Sequence, residues 1–332
     1  MDRGTVTETG TGTGADGAAP RPSVAVAIPC YNEAITVAKV VGDFRQALPQ
    51  ARIHVFDNGS TDRTAEAAQR AGAALHRVSS RGKGEVVRAI FRDIDADVIV
   101  MVDGDDTYPA GRVAELIAPV LAGRADMVVA TRLADHHAAS FRALHLPGNR
   151  LVLGLINLLF GTSLSDVLSG YRAFSGRFAK TMPVLSRGFE IETEITLHAL
   201  EHRKTIVEVP LPYGTRPEGS RSKLSTFQDG RRVVATLLML YKDYRPMLFF
   251  GIPGCLLLAA GIAAGIAVVG EFVESGRVTG IARAVFAVAC CLVGTVSVAT
   301  GLVLDTVNRR TRELYVLLAD HVVGSRNPPA GR

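Results

Sequence analysis

Two stretches of the chain carry no charged residue: Met247–Val269, 23 residues, and Ala284–Leu304, 21 residues. An uncharged apolar run of roughly 18 residues or more can cross the ~30 Å hydrocarbon layer of a bilayer as a helix. Inside that layer each backbone amide must be satisfied within the segment, so a helix is the form such a run takes. The pair therefore predicts a transmembrane hairpin over 246–305, with a tail over 306–332. Mean hydropathy is +0.22, high for a water-soluble chain. A hairpin buried in a soluble core is the competing arrangement. Basic residues flank the outer ends, with Arg231, Arg232, Lys242 and Arg245 before and Arg309, Arg310 and Arg312 after. The connecting loop balances Glu271 and Glu274 against Arg277 and Arg283. The positive-inside rule then places both ends on the cytoplasmic side. The expected location is the cell membrane, as a multi-pass protein with its large N-terminal part in the cytoplasm.

That N-terminal part is bounded by a Thr-, Gly- and Ala-rich stretch, 1–22, without a signal-peptide apolar core. It reads as a disordered tail. From Val24 onward the pattern alternates. Strands are predicted at Val24–Ile28, Ile53–Phe56, Ala73–Val78, Val98–Val102 and Met127–Ala130, with helices between them. Such alternation predicts an α/β fold with a mostly parallel sheet and helices on both faces. Ligands of open α/β sheets bind at the carboxyl ends of the strands. Each predicted strand but the last runs into a polar cluster: Pro29-Cys30-Tyr31-Asn32-Glu33, Asp57 to Asp62, Ser80 to Gly84, and Asp103-Gly104-Asp105-Asp106. Three clustered carboxylates repel unless a cation joins them, and hard divalent cations favour oxygen ligands. The Asp cluster thus predicts a metal site for a phosphorylated substrate, against the alternative of a solvated acidic turn.

The net charge of +5 suits anionic partners such as phosphates or a lipid surface. It is too diffuse to argue for nucleic acid, and no nucleic-acid partner is expected. The four Cys residues show no metal or disulfide spacing. Residues 149–161 are apolar nearly all round but too short to span a bilayer, so they predict either a buried helix or one lying in the membrane interface.

The motifs PCYNE, DNGSTD, RGKG and VDGDD, in this order and spacing, resemble family 2 glycosyltransferases of the GT-A (Rossmann-like) fold. The segment Asp166 to Arg172 and the run from Phe189 to Lys223 are similar to the polyprenyl-phosphate branch, the dolichyl-phosphate-mannose-synthase-like enzymes. The resemblance implies a cytoplasmic transferase domain over 23–228. It implies an inverting transfer of one sugar from a UDP- or GDP-hexose to a polyprenyl phosphate, serving cell-envelope glycan or glycoprotein assembly. Asp105 matches the metal ligand, Asp103 lies near metal or ribose, and Mg²⁺ or Mn²⁺ would suit them. Pro29, Tyr31, Glu33, Asp57 and Asn58 match positions lining the nucleoside pocket. Asn58 departs from the family, which carries a second Asp there. Lys83 would bring an ammonium to the diphosphate, against the alternative of a surface lysine at a helix start. Glu192 and Glu194 resemble carboxylates facing the sugar, Glu194 matching the better-marked position; an exposed acidic helix start is the alternative.

A lipid phosphate is already ionised near neutral pH, with a second pKa of about 6, so it needs alignment and not deprotonation. The loop 216–223 resembles the family's R-x-x-G-x-S-K loop with one residue more. It nominates Arg216, Arg221, Ser222 and Lys223 as phosphate ligands, against a plain basic patch at the membrane surface. Arg172 would add a cation there or pair with Asp166. The segment 229–245 predicts an amphipathic helix in the interface. Partners are thus a nucleotide sugar, a polyprenyl phosphate and the membrane, with self-association left open. A processive polysaccharide synthase would carry Q-x-x-R-W, and this chain has no Trp. A sugar-nucleotide pyrophosphorylase would show a Gly-rich turn where PCYNE stands. A membrane-anchored, non-catalytic nucleotide-binding scaffold is the non-enzymatic alternative.

Overall fold

The computed structural model describes residues 22–132, 145–186, 188, 190–214, 217, 238–239, 241–278 and 280–324. In chain order the first elements are β1 (Val24–Cys30), α1 (Val37–Ala47), β2 (Arg52–Asp57), α2 (Thr64–Arg70), β3 (Ala74–Arg77), α3 (Lys83–Asp93) and β4 (Val98–Met101). A short 3-10 turn, Ala110–Arg112, leads into α4 (Val113–Leu121) and β5 (Met127–Thr131). Then come α5 (His145–Phe160), β6 (Arg172–Ser175), α6 (Gly176–Thr181), α7 (Ile191–Glu201) and β7 (Ile206–Pro210). Two long helices close the chain, α8 (Pro246–Ser275) and α9 (Ile281–Gly324).

The seven strands form one sheet in the order β3-β2-β1-β4-β6-β5-β7. β1 pairs in parallel with β2 and β4, β2 with β3, and β5 with β7. β6 runs antiparallel between β4 and β5, so the sheet is mixed but mostly parallel. β4 is buried at every position because both of its faces are covered. Alternate residues of β1 serve the two cores. Val26, Ile28 and Cys30 meet Val37, Val40, Val41 and Phe44 of α1 on one face. Ala25 and Ala27 meet the face covered by α3, α6 and α7.

The helix at 145–160 buries one face in the protein and leaves another exposed. Val152 and Ile156 are buried against Val167 and Leu197, while Leu151 and Leu158 on other faces are 59% and 79% exposed. Its end is tied to the start of α8, where Arg245 Nη2 donates to the Leu159 carbonyl at 2.7 Å and Tyr244 meets Phe160 edge-on.

Pro246–Ser275 and Ile281–Tyr315 are long and apolar enough to cross a membrane, with only 17% and 22% of their most apolar windows buried in the protein. They pack tightly at glycines. A Cβ at Gly254 would fall 2.9 Å from the Gly294 carbonyl oxygen, and one at Gly261 would fall 2.7 Å from Cys291 Sγ. Small residues let helix backbones approach in this way. The segment after 305, expected as a tail, begins as a continuation of α9. No Pro or Gly interrupts it before Gly324, and Arg310–Glu313 adds an i,i+3 pair. It also packs on α7. Arg312 pairs with Glu201 at 2.8 Å, and Tyr315 meets both His198 and His202.

Candidate active site

The turn after β4 sits at the carboxyl edge of the sheet. Gly104 is required there, because a Cβ would lie 2.6 Å from Cys30 Sγ. Its carbonyl accepts from Thr36 Oγ1 at 2.6 Å, which fixes the turn against the start of α1. Asp105 is buried, and its Oδ1 accepts from Thr107 Oγ1 at 2.6 Å. Asp106 has a left-handed φ of +59° and turns outward to Lys39 at 2.7 Å. The three carboxylates therefore do not act as one cluster: Asp103 pairs with Lys83, Asp105 is held by Thr107, and Asp106 pairs with the exposed Lys39.

Asp103 meets a cation that comes from the RGKG turn. Lys83 Nζ lies 2.6 Å from Asp103 Oδ1 and 2.5 Å from Glu192 Oε1. The lysine side chain is only 12% exposed, so the surface-lysine alternative fails. Burial alone would lower its pKa, but Asp103 and Glu192 outweigh burial and raise it well above the ordinary lysine value. Gly170 backs the other oxygen of Asp103, for a Cβ there would stand 2.2 Å from Oδ2.

Glu192 and Glu194 part company. Glu192 is buried against Lys83. Glu194 accepts from the backbone amides of Leu185 and Ser186, each at 2.7 Å, and so fixes the loop entering α7. Arg172 requires a correction. It is completely buried and donates to the carbonyls of Ser169 and Val167 at 2.8 and 2.7 Å and to Thr196 Oγ1 at 2.9 Å. It reaches no phosphate-accessible surface, nor does it pair with Asp166. That carboxylate is taken bidentately by Arg132, at 2.7 and 3.0 Å. Arg132 follows β5 directly and was missed. Its place after an apolar strand was the available signal.

The remaining predicted donor-site residues lie at the carboxyl ends of β1 and β2 or just after them. Pro29 is the penultimate residue of β1, and Tyr31 and Glu33 follow it. The Glu33 amide donates to Thr64 Oγ1 at 2.8 Å, and its carboxylate lies 3.5 Å from Thr36 Oγ1. Asp57 is buried and accepts from the Ser60 amide at 3.2 Å. Asn58 is buried beside it and bonds to the turn before α3. Arg81, also missed, donates to Tyr31 Oη at 2.6 Å and lies over its ring at 4.9 Å. Arg216, Arg221, Ser222 and Lys223 lie outside the described residues, as does most of the predicted interfacial segment 229–245.

Among the described residues no three His, Cys, Asp or Glu side chains gather as a self-contained metal site. Asp103 and Asp105 still fit a hard divalent cation. Mg²⁺ is commonly held by one or two carboxylates together with substrate phosphates, and two carboxylates on one turn are that protein share.

A glycosyl transferase family 2 model matches residues 25–179. Glycosyltransferase AglJ of Haloferax volcanii is 35% identical over 252 residues, 76% of this chain and 82% of that protein. The chain belongs to glycosyl transferase family 2 and is a glycosyltransferase. Polyprenol monophosphomannose synthase of Mycolicibacterium smegmatis is 30% identical, over 66% of this chain and 87% of its own length. Among solved structures, Mycobacterium tuberculosis glucosyl-3-phosphoglycerate synthase in complex with Mn²⁺, UDP-glucose and phosphoglyceric acid superposes with a TM-score of 0.52 at 26% identity. That match covers 66% of this chain and 79% of the other.

Proposed function

We propose that this family 2 enzyme transfers one hexose, with inversion, from a UDP- or GDP-sugar to a polyprenyl phosphate at the cytoplasmic face of the membrane. The observation that carries the donor side is the buried Lys83 between Asp103 and Glu192, on the same edge as Asp105. Asp103 and Asp105 would hold Mg²⁺ or Mn²⁺, which when bound offsets the charge that develops on the departing diphosphate. Lys83 brings a second positive charge to the same oxygens. Glu192 holds that ammonium in place. Pro29, Tyr31, Glu33 and Asp57 line the nucleoside end.

The acceptor side rests on chemistry. A phosphate oxygen attacks the anomeric carbon as the bond to the donor's β-phosphate oxygen breaks, and the electron pair leaves with the nucleoside diphosphate. The attacking oxygen is already ionised, so no side chain has to take a proton. This agrees with a site in which Glu192 is paired to Lys83 and Glu194 to two amides. Arg216, Arg221, Ser222 and Lys223 are the proposed phosphate ligands. Relatives named as polyprenol monophosphomannose synthase and undecaprenyl-phosphate mannosyltransferase support this acceptor class. The hairpin would anchor the enzyme, with the exposed Leu151 and Leu158 of α5 at headgroup depth beside the entry of α8.

The test uses the full chain in lipid nanodiscs with labelled UDP- and GDP-hexoses. Undecaprenyl phosphate, undecaprenol and 3-phosphoglycerate are offered as acceptors. Transfer to undecaprenyl phosphate, lost in EDTA and restored by Mg²⁺ or Mn²⁺, is expected. Transfer to 3-phosphoglycerate alone would overturn the acceptor assignment. No transfer from any donor to any acceptor would favour the non-catalytic scaffold.

A further inference from the structure

Asn58 stands where the family resemblance calls for an acidic residue that meets the donor's base or ribose. Its surroundings fit another task. The side chain is 7% exposed, and both ends of its amide are engaged by one short segment. Nδ2 donates to the Ser80 carbonyl at 2.6 Å and lies 3.4 Å from the Val78 carbonyl. Oδ1 accepts from the Gly82 amide at 2.8 Å. The backbone joins in, for the Val78 amide donates to the Asp57 carbonyl at 2.9 Å and the Asn58 amide to the Cys30 carbonyl at 2.9 Å. A primary amide is the side chain that can donate to two carbonyls and accept from an N–H at once. A carboxylate would set its charge against the carbonyls of Val78 and Ser80.

We propose that Asn58 is a positioning residue for the turn 78–82, acting on the donor diphosphate through Lys83 and not by contact with the base. This rests on the nucleotide-sugar donor of the preceding section. Gly82, which Asn58 holds, has φ +128° and caps the start of α3, and Lys83 is the next residue. Fixing the Gly82 amide fixes the helix start and hence the ammonium at Asp103 and Glu192. Arg81 pins the same turn from outside through Tyr31 and the Gly59 carbonyl. The charged side chains next to the clamp in the chain are thus Asp57, Arg81 and Lys83. The Asn in place of the family's Asp changes what this position does: it tethers the phosphate-end turn.

The test compares Asn58→Ala and Asn58→Asp with wild type in the full chain. Three readouts are taken: affinity for UDP and GDP by calorimetry, transfer kinetics between about pH 8 and about pH 5, and amide hydrogen exchange without nucleotide. At the alkaline end Asn58→Asp should bind the preferred nucleotide weaker than Asn58→Ala, and roughly tenfold or more weaker than wild type. Relative to wild type at the same pH, its affinity and kcat should recover as pH falls, because burial against two carbonyls favours the protonated carboxyl, which can donate to the Ser80 carbonyl. Amides of residues 78–83 should exchange faster in both variants. Contact with the base through an oxygen acceptor would give the opposite order, since Asp keeps that acceptor. Equal or better binding by Asn58→Asp than by Asn58→Ala at the alkaline end therefore overturns the proposal. If wild type bound neither nucleotide, the donor class would fall. The exchange data would still decide the clamp: faster exchange in both variants supports it, and unchanged exchange overturns it.

Discussion

The carboxyl edge of the sheet is built in two different ways. The loops after β1, β2 and β3 are joined by hydrogen bonds, several of them between neutral groups. Asn32 accepts from the Thr61 amide at 2.8 Å, Thr64 Oγ1 accepts from the Glu33 amide, and Asn58 ties the turn 78–82. The turn after β4 is joined to α3 and α7 by charge, through Asp103, Lys83 and Glu192. Neutral bonds of the first kind are satisfied within the protein, with no charge left for a ligand to compete for. The second kind is an ammonium already neutralised by the protein, for which a diphosphate bound as proposed would have to compete. On the proposed donor assignment, this difference would make the nucleoside end preformed and leave the diphosphate end to rearrange on binding.

Breaking the charged end should have the largest effects. Asp105→Asn keeps volume and removes charge, and turnover should fall at least about a thousandfold with melting behaviour preserved. Asp106→Asn, whose native partner is the surface residue Lys39, should stay within a few-fold of wild type. Equal losses in the two would show that the turn acts as one acidic cluster. Next is Lys83→Met, which should cut kcat by roughly a hundredfold and lower stability as well, because Asp103 and Glu192 lose their shared cation. Adding Glu192→Gln to it should recover part of the stability and none of the rate.

The two glutamates of α7 sharpen the comparison. Glu192→Gln should slow transfer roughly tenfold, since the neutral amide holds Lys83 less firmly. Glu194→Gln keeps one acceptor for the amides of Leu185 and Ser186, and its loss should appear mainly as a lower melting temperature. The reverse pattern would return the sugar-facing role to Glu194.

The smallest expected effect concerns stability and pH. Burial, with smaller contributions from His202 and Lys204, lowers the pKa of His198 from 6.5 to about 3. A base whose folded pKa is depressed is stabilised in its neutral form. Its contribution is complete above 6.5 and is lost as pH falls from 6.5 toward 3, because the unfolded chain takes up a proton that the folded chain refuses. The slope is at most about 1.4 kcal/mol per pH unit. Melting in detergent between neutral pH and pH ~5 should show this slope in wild type, and a flatter one in His198→Gln.

Much of the frame was legible. Strands 1, 2, 4 and 5 announce themselves as apolar runs, and each of the first four turns carries its motif at the strand's carboxyl end. β6 was not legible, because Arg172–Ser175 begins with an arginine that looks solvent-seeking. Its guanidinium is buried by carbonyls of the preceding loop, a tertiary fact no local pattern carries. Lys83 was ambiguous for the same reason. SRGKG reads as a surface turn until Asp103 and Glu192, far apart in sequence, converge on it. Glu192 and Glu194 could not be told apart by motif. Two residues along a helix are about 200° of rotation, so one faces the edge and the other the loop. The helical extension past Asp305 was not read from the sequence because part of its support, Tyr315 against His198 and His202, is also tertiary.

The two-ended site is tested most directly by comparing nucleoside monophosphate with nucleoside diphosphate binding. Calorimetry with UMP, UDP, GMP and GDP, in Mn²⁺, would be run on wild type and on the Lys83→Met/Glu192→Gln double variant. The preformed end predicts that the preferred monophosphate binds both proteins within about twofold, while the diphosphate loses roughly tenfold or more in the variant. A parallel loss for monophosphate and diphosphate, or no loss for either, would contradict a diphosphate end built on Lys83.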